Sequence, residues 1–497
     1  MSTEESQTSC KTLTRRQLLK RGLYGGLTAG LAGSLSLSGC RSGKGRKPNV
    51  LIIVMDTARA DRFSFTGYGQ KTSPRTDALA SESVVFERAY SADFWTLPSH
   101  AALFTGLYPS QTGATSETDH LPDSNTTLAT VLQAASYDTS AFVCNAWVSK
   151  ERGFAKGFDQ FYEMWRSENY RQAPQGPGRA ESAAVNTVRD WLEHQHKTSS
   201  KPFFVFINLN SPHLPYDPPE PYATSFVKPD CTADEINRLS KITGMWEHLA
   251  GELKLSERDL RIMSDLYDGE IAFTDHCVGQ VIDCLKDLDS LDDTLVIITS
   301  DHGENIGEHG LIDHLLSMYE TTLHVPLVVR YPTRFKAGTS SDGLVSLVDV
   351  FPTVLELCNL RSESEKLEPA GISFADADGQ KRAFIVAEND RPLNGINLMK
   401  CHFPAFDTRT IDYRMRAIRT NKEKLIWKLD RGKELYDLQA DPGELNNLAE
   451  QESQTCDKLN AILISWMKEM PSNKDATLME GKDPESLKIL RSLGYVE

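Results

Sequence analysis

The chain has 497 residues, 40% of them apolar and 25% charged, with 32 Gly and 23 Pro. That ordinary globular composition excludes collagen-like, coiled-coil and disordered classes, and the length allows roughly two to four domains, or one large α/β domain with a smaller companion. Against 69 Asp and Glu stand 54 Lys and Arg, a formal net charge of -15, which excludes nucleic acid as a partner but not a small anion held in a local cationic pocket.

The first forty residues read as an address. Arg15-Arg16 and Leu18-Leu19-Lys20 precede an uncharged stretch from Gly22 to Gly39 that ends Leu37-Ser38-Gly39-Cys40. A charged region, an apolar region and a small-residue cleavage site occur in that order. The arginine pair resembles a twin-arginine export signal, and Leu-Ser-Gly-Cys resembles a bacterial lipobox whose Cys40 becomes the lipidated N-terminus. The expectation is export by the twin-arginine pathway, which carries folded proteins and so permits metal loading before export. A lipid anchor at the cell envelope, on the periplasmic side or the cell surface, is then the only membrane contact. The Gly- and Ser-rich apolar region is too weak for a permanent transmembrane helix. Residues 41–48 follow as a tether.

Asn49–Met55 (NVLIIVM) is an almost unbroken apolar run, the signature of a buried parallel strand. Thr139–Cys144, Pro202–Leu209, Thr294–Thr299 and Val325–Arg330 repeat the type. Helical stripes lie between them, on Leu128, Val131, Leu132 and Ala135, on Val188, Trp191 and Leu192, and on a long series from Leu260 to Leu285. Alternating strands and helices predict a parallel sheet covered on both faces. Residues 211–256 are Pro-rich and then polar, and read as a long excursion over the sheet edge. With 160–180 they are the expected seat of specificity. After about residue 375, Arg382–Glu388, Tyr413–Arg419, Glu423–Leu429 and Glu434–Leu438 are candidate strands of a small antiparallel sheet, followed by a helix carrying Leu459, Ile462, Leu463 and Trp466. The divisions are 1–40 signal, 41–48 tether, 49–375 catalytic domain and 376–497 C-terminal subdomain. Nine Cys occur without a CxxC pair, and the seven beyond Cys10 and Cys40 form no disulfide framework.

Ligands of an open parallel sheet bind beyond the carboxyl ends of its strands. The first strand runs into Asp56-Thr57-Ala58-Arg59, another into Ser211-Pro212-His213, and another into Ser300-Asp301-His302-Gly303-Glu304. Asp56, Asp301 and His302 supply two carboxylates and an imidazole, a set that suits one divalent ion, Mn²⁺ or Zn²⁺, better than Ca²⁺, which prefers oxygen alone. In Phe94-Trp95-Thr96-Leu97-Pro98-Ser99-His100, Pro98 fits a first helical turn. Thr96 then sits at a helix N-terminus, where an anion is favoured. Its hydroxyl is either a simple cap or, beside a metal, a nucleophile.

In order, PNVLIIVMD at 48–56, SPRTDALA at 73–80, TLPSHAALFTGLYP at 96–109, SPHLPY at 211–216, DHGE at 301–304 and ELYDLQADPGE at 434–444 resemble the sulfatase family of the alkaline phosphatase superfamily. The resemblance implies an alkaline-phosphatase-like parallel or mixed sheet flanked by helices, with a smaller C-terminal α+β subdomain. It implies a metal-dependent hydrolase of sulfate or phosphate esters, with a small anionic ester or a sulfated or phosphorylated glycan as substrate. Asp56, Thr96, Asp301 and His302 fall at metal and nucleophile positions. His213 and His314 fall at substrate-binding positions, His314 where sulfatases often carry Lys. Arg59, His100, His213 and His314 are candidates to balance the anion's charge or act as general acid. Three departures stand out. Thr96 replaces the Cys or Ser that sulfatases oxidise to formylglycine, His100 replaces the Arg that ends that motif, and Thr57 replaces a second Asp. Two rivals stay open: a phosphoryl or phosphoethanolamine transferase acting on envelope glycans, and an inactive carbohydrate-binding lipoprotein of the same fold.

Overall fold

A computed structural model describes residues 47–376, 382–429 and 431–470. Arg15, Arg16 and Cys40 lie outside the described residues. The first strand, Asn49–Met55, pairs in parallel with Phe203–Leu209 on one side and Thr294–Thr299 on the other. Val50, Ile52 and Val54 enter the core on one face of the sheet, and Leu51, Ile53 and Met55 enter the core on the other. Burial on both faces is why this strand is apolar throughout rather than alternating.

Among the described residues the sheet has nine strands. From one edge the order is Thr339–Ser346, Val84–Tyr90, Leu327–Arg330, Thr294–Thr299, Asn49–Met55, Phe203–Leu209, Asp138–Val143 and Gln160–Glu163, with His324–Val325 paired beside Val84–Tyr90. The helices Arg179–Thr198 and Glu257–Asp287 cover one face through Val188, Leu192, Leu266 and Ile282. Ser256 caps the longer of the two, accepting from the Asp259 N–H. The helices Thr96–Thr105, Leu128–Ala134 and Val350–Leu357 cover the other face.

Two features depart from the expected sheet. The run predicted as one parallel strand at 325–330 is two pieces, and Leu327–Arg330 lies antiparallel to Thr294–Thr299. Pro326 donates no hydrogen bond, and strand direction is not written in side-chain type. Three strands were not anticipated: Val84–Tyr90, Gln160–Glu163 and Thr339–Ser346. The first carries exposed Glu87 and half-buried Arg88, and the other two are edge strands with polar residues, so none reads as a buried run.

The C-terminal strands Ile385–Asn389, Met415–Arg419, Glu423–Lys428 and Gly432–Asp437 form the expected antiparallel sheet. Its faces divide as alternation requires. Ile385, Ala387, Met415 and Ala417 join the large core, while Val386, Ile418, Leu425 and Leu435 pack on Leu459 and Leu463 of the helix Ser453–Glu469. The 211–256 excursion is not an open loop. It holds short helices, Tyr222–Ser225, Ala233–Leu239 and Met245–Leu249, and Met245 and Trp246 pack with Ile312, Leu316, Ile396 and Met399. The seven cysteines from Cys144 to Cys456 are all free, five of them buried. Among the described residues no helix is long and apolar enough to cross a membrane.

Candidate active site

The carboxyl ends of the central strands deliver Asp56, Asn208 and the segment 300–304 to one place. The turn after the first strand is tight: Thr57 has φ 60, an uncommon conformation for a β-branched residue. Its N–H donates to Asp301 Oδ1 at 3.1 Å, and its carbonyl accepts from the Tyr267 hydroxyl at 2.7 Å. Ala58 N–H donates to Ser300 Oγ at 2.8 Å. The two strand ends are thus locked together through their backbones. Gly303 is required beside them, because a Cβ there would lie 2.1 Å from the Thr321 carbonyl oxygen.

Asp56, Thr96, Asp301 and His302 are all 0% exposed. Asp56 Oδ2 accepts from Asn145 Nδ2 at 2.9 Å and from Asn208 Nδ2 at 3.2 Å, whereas Oδ1 has no hydrogen-bond partner. Asp301 Oδ1 accepts from two backbone N–H groups, Thr57 and His302, whereas Oδ2 accepts no hydrogen bond among the described residues. His302 Nδ1 donates to the Gly303 carbonyl at 3.0 Å, which leaves the lone pair on Nε2. Nε2 faces Asp301 Oδ2 at 3.2 Å and accepts from the Thr96 hydroxyl at 3.3 Å.

Thr96 is the first residue of its helix. The N-cap is Trp95, so the Thr96 hydroxyl is not spent on capping and points at His302 instead.

The electrostatics follow from burial. Desolvation and the neighbouring Asp301 push Asp56 well above the usual carboxylate range. Burial also raises Asp301, but His302, His100 and the backbone donors outweigh it and hold this carboxyl low. Burial pushes His302 down to about 3, so its imidazole is neutral. Asp56, Asp301 and His302 each offer one possible ligand atom, and these atoms lie within 4.8 Å of one another. The set of two buried carboxylates and one imidazole fits a divalent metal.

The histidines form a chain leading away from this centre. The ring centroids of His302 and His314 are 4.4 Å apart, and those of His314 and His213 are 5.0 Å apart. His213 follows the Phe203–Leu209 strand and donates from Nδ1 to the Leu214 carbonyl. Burial and His314 lower it to about 4. His314 behaves oppositely. Burial lowers it, but Asp313 at 2.8 Å and Glu304 at 3.2 Å from Nδ1 hold it well above the usual histidine value. Burial, partly offset by His314, pushes Glu304 up to about 7.

Two residues differ from expectation. Arg59 does not face the centre as a free cation: its guanidinium is paired with Asp61 at 2.8 Å and Glu308 at 2.6 Å. These partners are two and 249 residues away, and the second is not readable from sequence. His100 donates from Nδ1 to the Thr96 carbonyl at 2.8 Å, one helical turn back, and lies 3.5 Å from Asp301 Oδ2. Burial lowers its pKa, and its ring packs behind the centre against Asp301.

Asn145 and Asn208, which contact Asp56, and Glu304 and Asp313, which contact His314, were not singled out from the sequence. Asn208 had a signal: it is the one polar residue in PFFVFINL. Beside the centre lies a small aromatic recess lined by Phe94, Trp95, Trp147, Trp246, Leu315 and Asn389 among others. Trp95 precedes Thr96 and Leu315 follows His314.

The sulfatase family pattern matches residues 48–360, and that of the N-sulphoglucosamine sulphohydrolase C-terminal region matches residues 307–470. The chain is 23% identical to an N-acetylglucosamine-6-O-sulfatase of Bacteroides thetaiotaomicron, over 90% of this chain and 92% of that protein. It is 24% identical to an arylsulfatase of Clostridium perfringens, over 90% of this chain and 100% of that protein. Among solved structures, the phosphonate monoester hydrolase of Agrobacterium radiobacter superposes with TM-score 0.65 at 22% identity, covering 88% of this chain and 100% of that chain. A structure in complex with its substrate D-glucosamine-2-N,6-O-disulfate superposes with TM-score 0.65 at 21% identity and the same coverage. With the family pattern spanning the central sheet and both strand ends that carry the buried carboxylates, the chain belongs to the sulfatase family, within the alkaline phosphatase superfamily, and is a hydrolase of that family.

Proposed function

We propose that the protein is an exported, lipid-anchored, metal-dependent hydrolase that uses unmodified Thr96 as its nucleophile and cleaves phosphodiesters or phosphonate esters at least as well as sulfate esters. The observation that carries this reading is the Thr96 hydroxyl at 3.3 Å from His302 Nε2, beside carboxylate oxygens of Asp56 and Asp301 that have no hydrogen-bond partner. Asp56, Asp301 and His302 would hold one divalent ion, Mn²⁺ or Zn²⁺ by donor type. Such an ion supplies charge that favours the ionised hydroxyl and a substrate oxygen.

The chain's own groups do the rest. Asn145 and Asn208 fix the orientation of Asp56. The helix beginning at Thr96 turns its N-terminal N–H groups toward the anion. His314 has its Nδ1 held by Asp313 and Glu304. His213 stands beside it, and the two are the donors for the ester oxygens or the leaving group. The organic part of the substrate, a sugar or aryl group, would enter the aromatic recess.

The preference follows from the chemistry of residue 96. A formylglycine hydrate expels sulfate by collapsing to an aldehyde, because its carbon bears a second hydroxyl. Threonine has none, so a sulfated threonine is cleared only by attack at sulfur. A phosphorylated threonine is cleared by in-line attack of water at phosphorus. The extra methyl of threonine also bars formylglycine, since its oxidation would give a ketone. A panel of aryl sulfate, phosphate monoester, phosphodiester and phosphonate substrates tests this. Strong sulfatase activity with negligible phosphorus-ester activity contradicts it.

Location is tested separately. Changing Arg15 and Arg16 together to Lys is expected to hold the protein in the cytoplasm, and Cys40→Ala to release it from the membrane fraction. Cell fractionation with unchanged export and anchoring would contradict both.

A further inference from the structure

Behind the turn that carries His213 lie two buried acids that no step above uses. Glu181 stands in the first turn of the helix Arg179–Thr198 and Glu270 within the helix Glu257–Asp287, each 4% exposed. Both reach Ser211, just past the end of the strand Phe203–Leu209. Glu181 Oε1 accepts from the Ser211 N–H at 3.2 Å, and the Ser211 hydroxyl is a hydrogen-bond partner of both carboxyl groups. The Thr274 hydroxyl donates to the Ser211 carbonyl at 3.2 Å. The N–H, the hydroxyl and the carbonyl of this one residue are thus all held by the two helices that cover the sheet.

The candidate site hangs on the same turn. Asn208 donates to Asp56 Oδ2, and the His213 N–H donates to the Asn210 carbonyl at 3.0 Å, in the turn that sets the His213 ring against His314. A shift of Ser211 moves both side chains.

Two buried carboxyl groups joined by one hydroxyl do not both ionise. A serine hydroxyl has one proton to give, so it donates to a carboxylate on one side and accepts from a carboxylic acid on the other. Glu181 is placed to keep the charge, because it takes the Ser211 N–H and lies in the first turn of a helix, where the dipole favours an anion. Glu270 is placed to keep the proton. Its Oε2 accepts no hydrogen bond among the described residues, so ionisation would leave a bare buried charge. The charged groups acting on it, Glu181 from the neighbouring helix and Asp217 from the chain beyond the turn, are both acids. The thiols of Cys144 and Cys277 are pushed up by burial and stay neutral. Burial, reinforced by Glu181 and Asp217 and opposed by the Ser211 hydroxyl, pushes Glu270 up to about 8.

We infer that Glu181 and Glu270, joined through Ser211, are positioning residues of the site: sharing one proton, they clamp the turn that aims Asn208 and His213, and loss of that proton loosens it. The inference rests on the reading that this turn serves ester hydrolysis. The sign follows from linkage. The closed turn favours the acid form of Glu270, whereas an open, hydrated turn returns the group to its ordinary value. Opening therefore grows by up to about tenfold per pH unit between that ordinary value and about 8, and levels above it.

The test is hydrogen exchange of the peptide spanning residues 205–216 in the full chain, corrected for the intrinsic pH dependence of exchange, beside kcat/KM on an aryl phosphonate monoester over the same pH range. Wild-type protection is expected to fall by up to about tenfold per pH unit from about pH 6 to about pH 8 and then to level. The rate should fall with it. Glu270→Gln, a neutral amide in place of the acid, is expected to flatten both profiles on the alkaline side. Glu181→Ala, which removes the acceptor of the Ser211 N–H, should lower kcat by about tenfold or more with metal content unchanged, and Glu181→Gln, which keeps Oε1, should restore most of it. Protection that does not change with pH in wild type, or that changes equally in Glu270→Gln, overturns the inference. A wild type that turns over no ester while its exchange behaves as expected overturns the hydrolase reading and leaves the clamp standing. If Glu270→Gln does not fold, Glu181→Gln removes the like charge instead, and an unaltered pH dependence there overturns the clamp.

Discussion

Thr96→Ala is expected to lower kcat/KM by on the order of 10³-fold or more on every ester the protein turns over, with the melting temperature nearly unchanged. The hydroxyl makes one hydrogen bond, to His302 Nε2, and caps nothing. Its removal therefore leaves no buried donor stranded and costs little stability. Thr96→Ser should retain far more activity, because the oxygen and the helix N-terminus both remain. Initial rates for the three proteins check this. An alanine variant within about tenfold of wild type would remove Thr96 from the chemistry and leave direct attack by water.

Asp301→Asn is expected to abolish tight metal binding and lower activity by on the order of 10³-fold or more, while the protein stays folded. Asparagine keeps the Oδ1 that accepts from the Thr57 and His302 N–H groups, so the lock between the two strand ends survives. It puts an amide where the unpartnered Oδ2 stood, and an amide nitrogen offers no lone pair to a metal. Asp301→Ala loses the same ligand and also strands two buried backbone donors, at about 1–3 kcal/mol each. The alanine form should thus be the less stable of two equally inactive proteins. Metal content, activity and urea denaturation of both variants separate the two effects. Full metal content and activity in Asp301→Asn would mean that the centre does not use this carboxylate.

How much of this was legible before the fold was known depends on where each signal resides. Asn49–Met55, Phe203–Leu209 and Thr294–Thr299 announced themselves because both faces of the sheet are buried, so every position had to be apolar. Val84–Tyr90 lies between two neighbours in the sheet and still carries an exposed Glu87, which masks the pattern. The antiparallel direction of Leu327–Arg330 depends on the path of the chain from 300 to 324, not on its own residues.

The site divides in the same way. Asp56, Asp301 and His302 follow strands directly, and the rule that ligands gather at strand ends was enough to single them out as one cluster. Asn145 and Asp313 reach the site through contacts made only in three dimensions, Asn145 with Asp56 across 89 residues and Asp313 through a two-residue ribbon. The pairing of Arg59 is hidden for the same reason. A basic residue beside a catalytic strand end reads as an anion ligand until Glu308 comes back to fill it. His100 reads as a charge near Thr96, and only the fold shows its bond to the Thr96 carbonyl and its complete burial.

The central claim, that unmodified Thr96 carries the ester group during turnover, is tested most directly by mass analysis of the peptide bearing residue 96. The sample is taken at rest and after acid quenching during steady turnover of a phosphonate monoester or phosphodiester. The expected result is plain threonine at rest and phosphorus-modified threonine, at position 96 alone, in the quenched sample. An oxidised residue at rest, or plain threonine throughout in a protein whose Thr96→Ala variant remains active, would contradict the account.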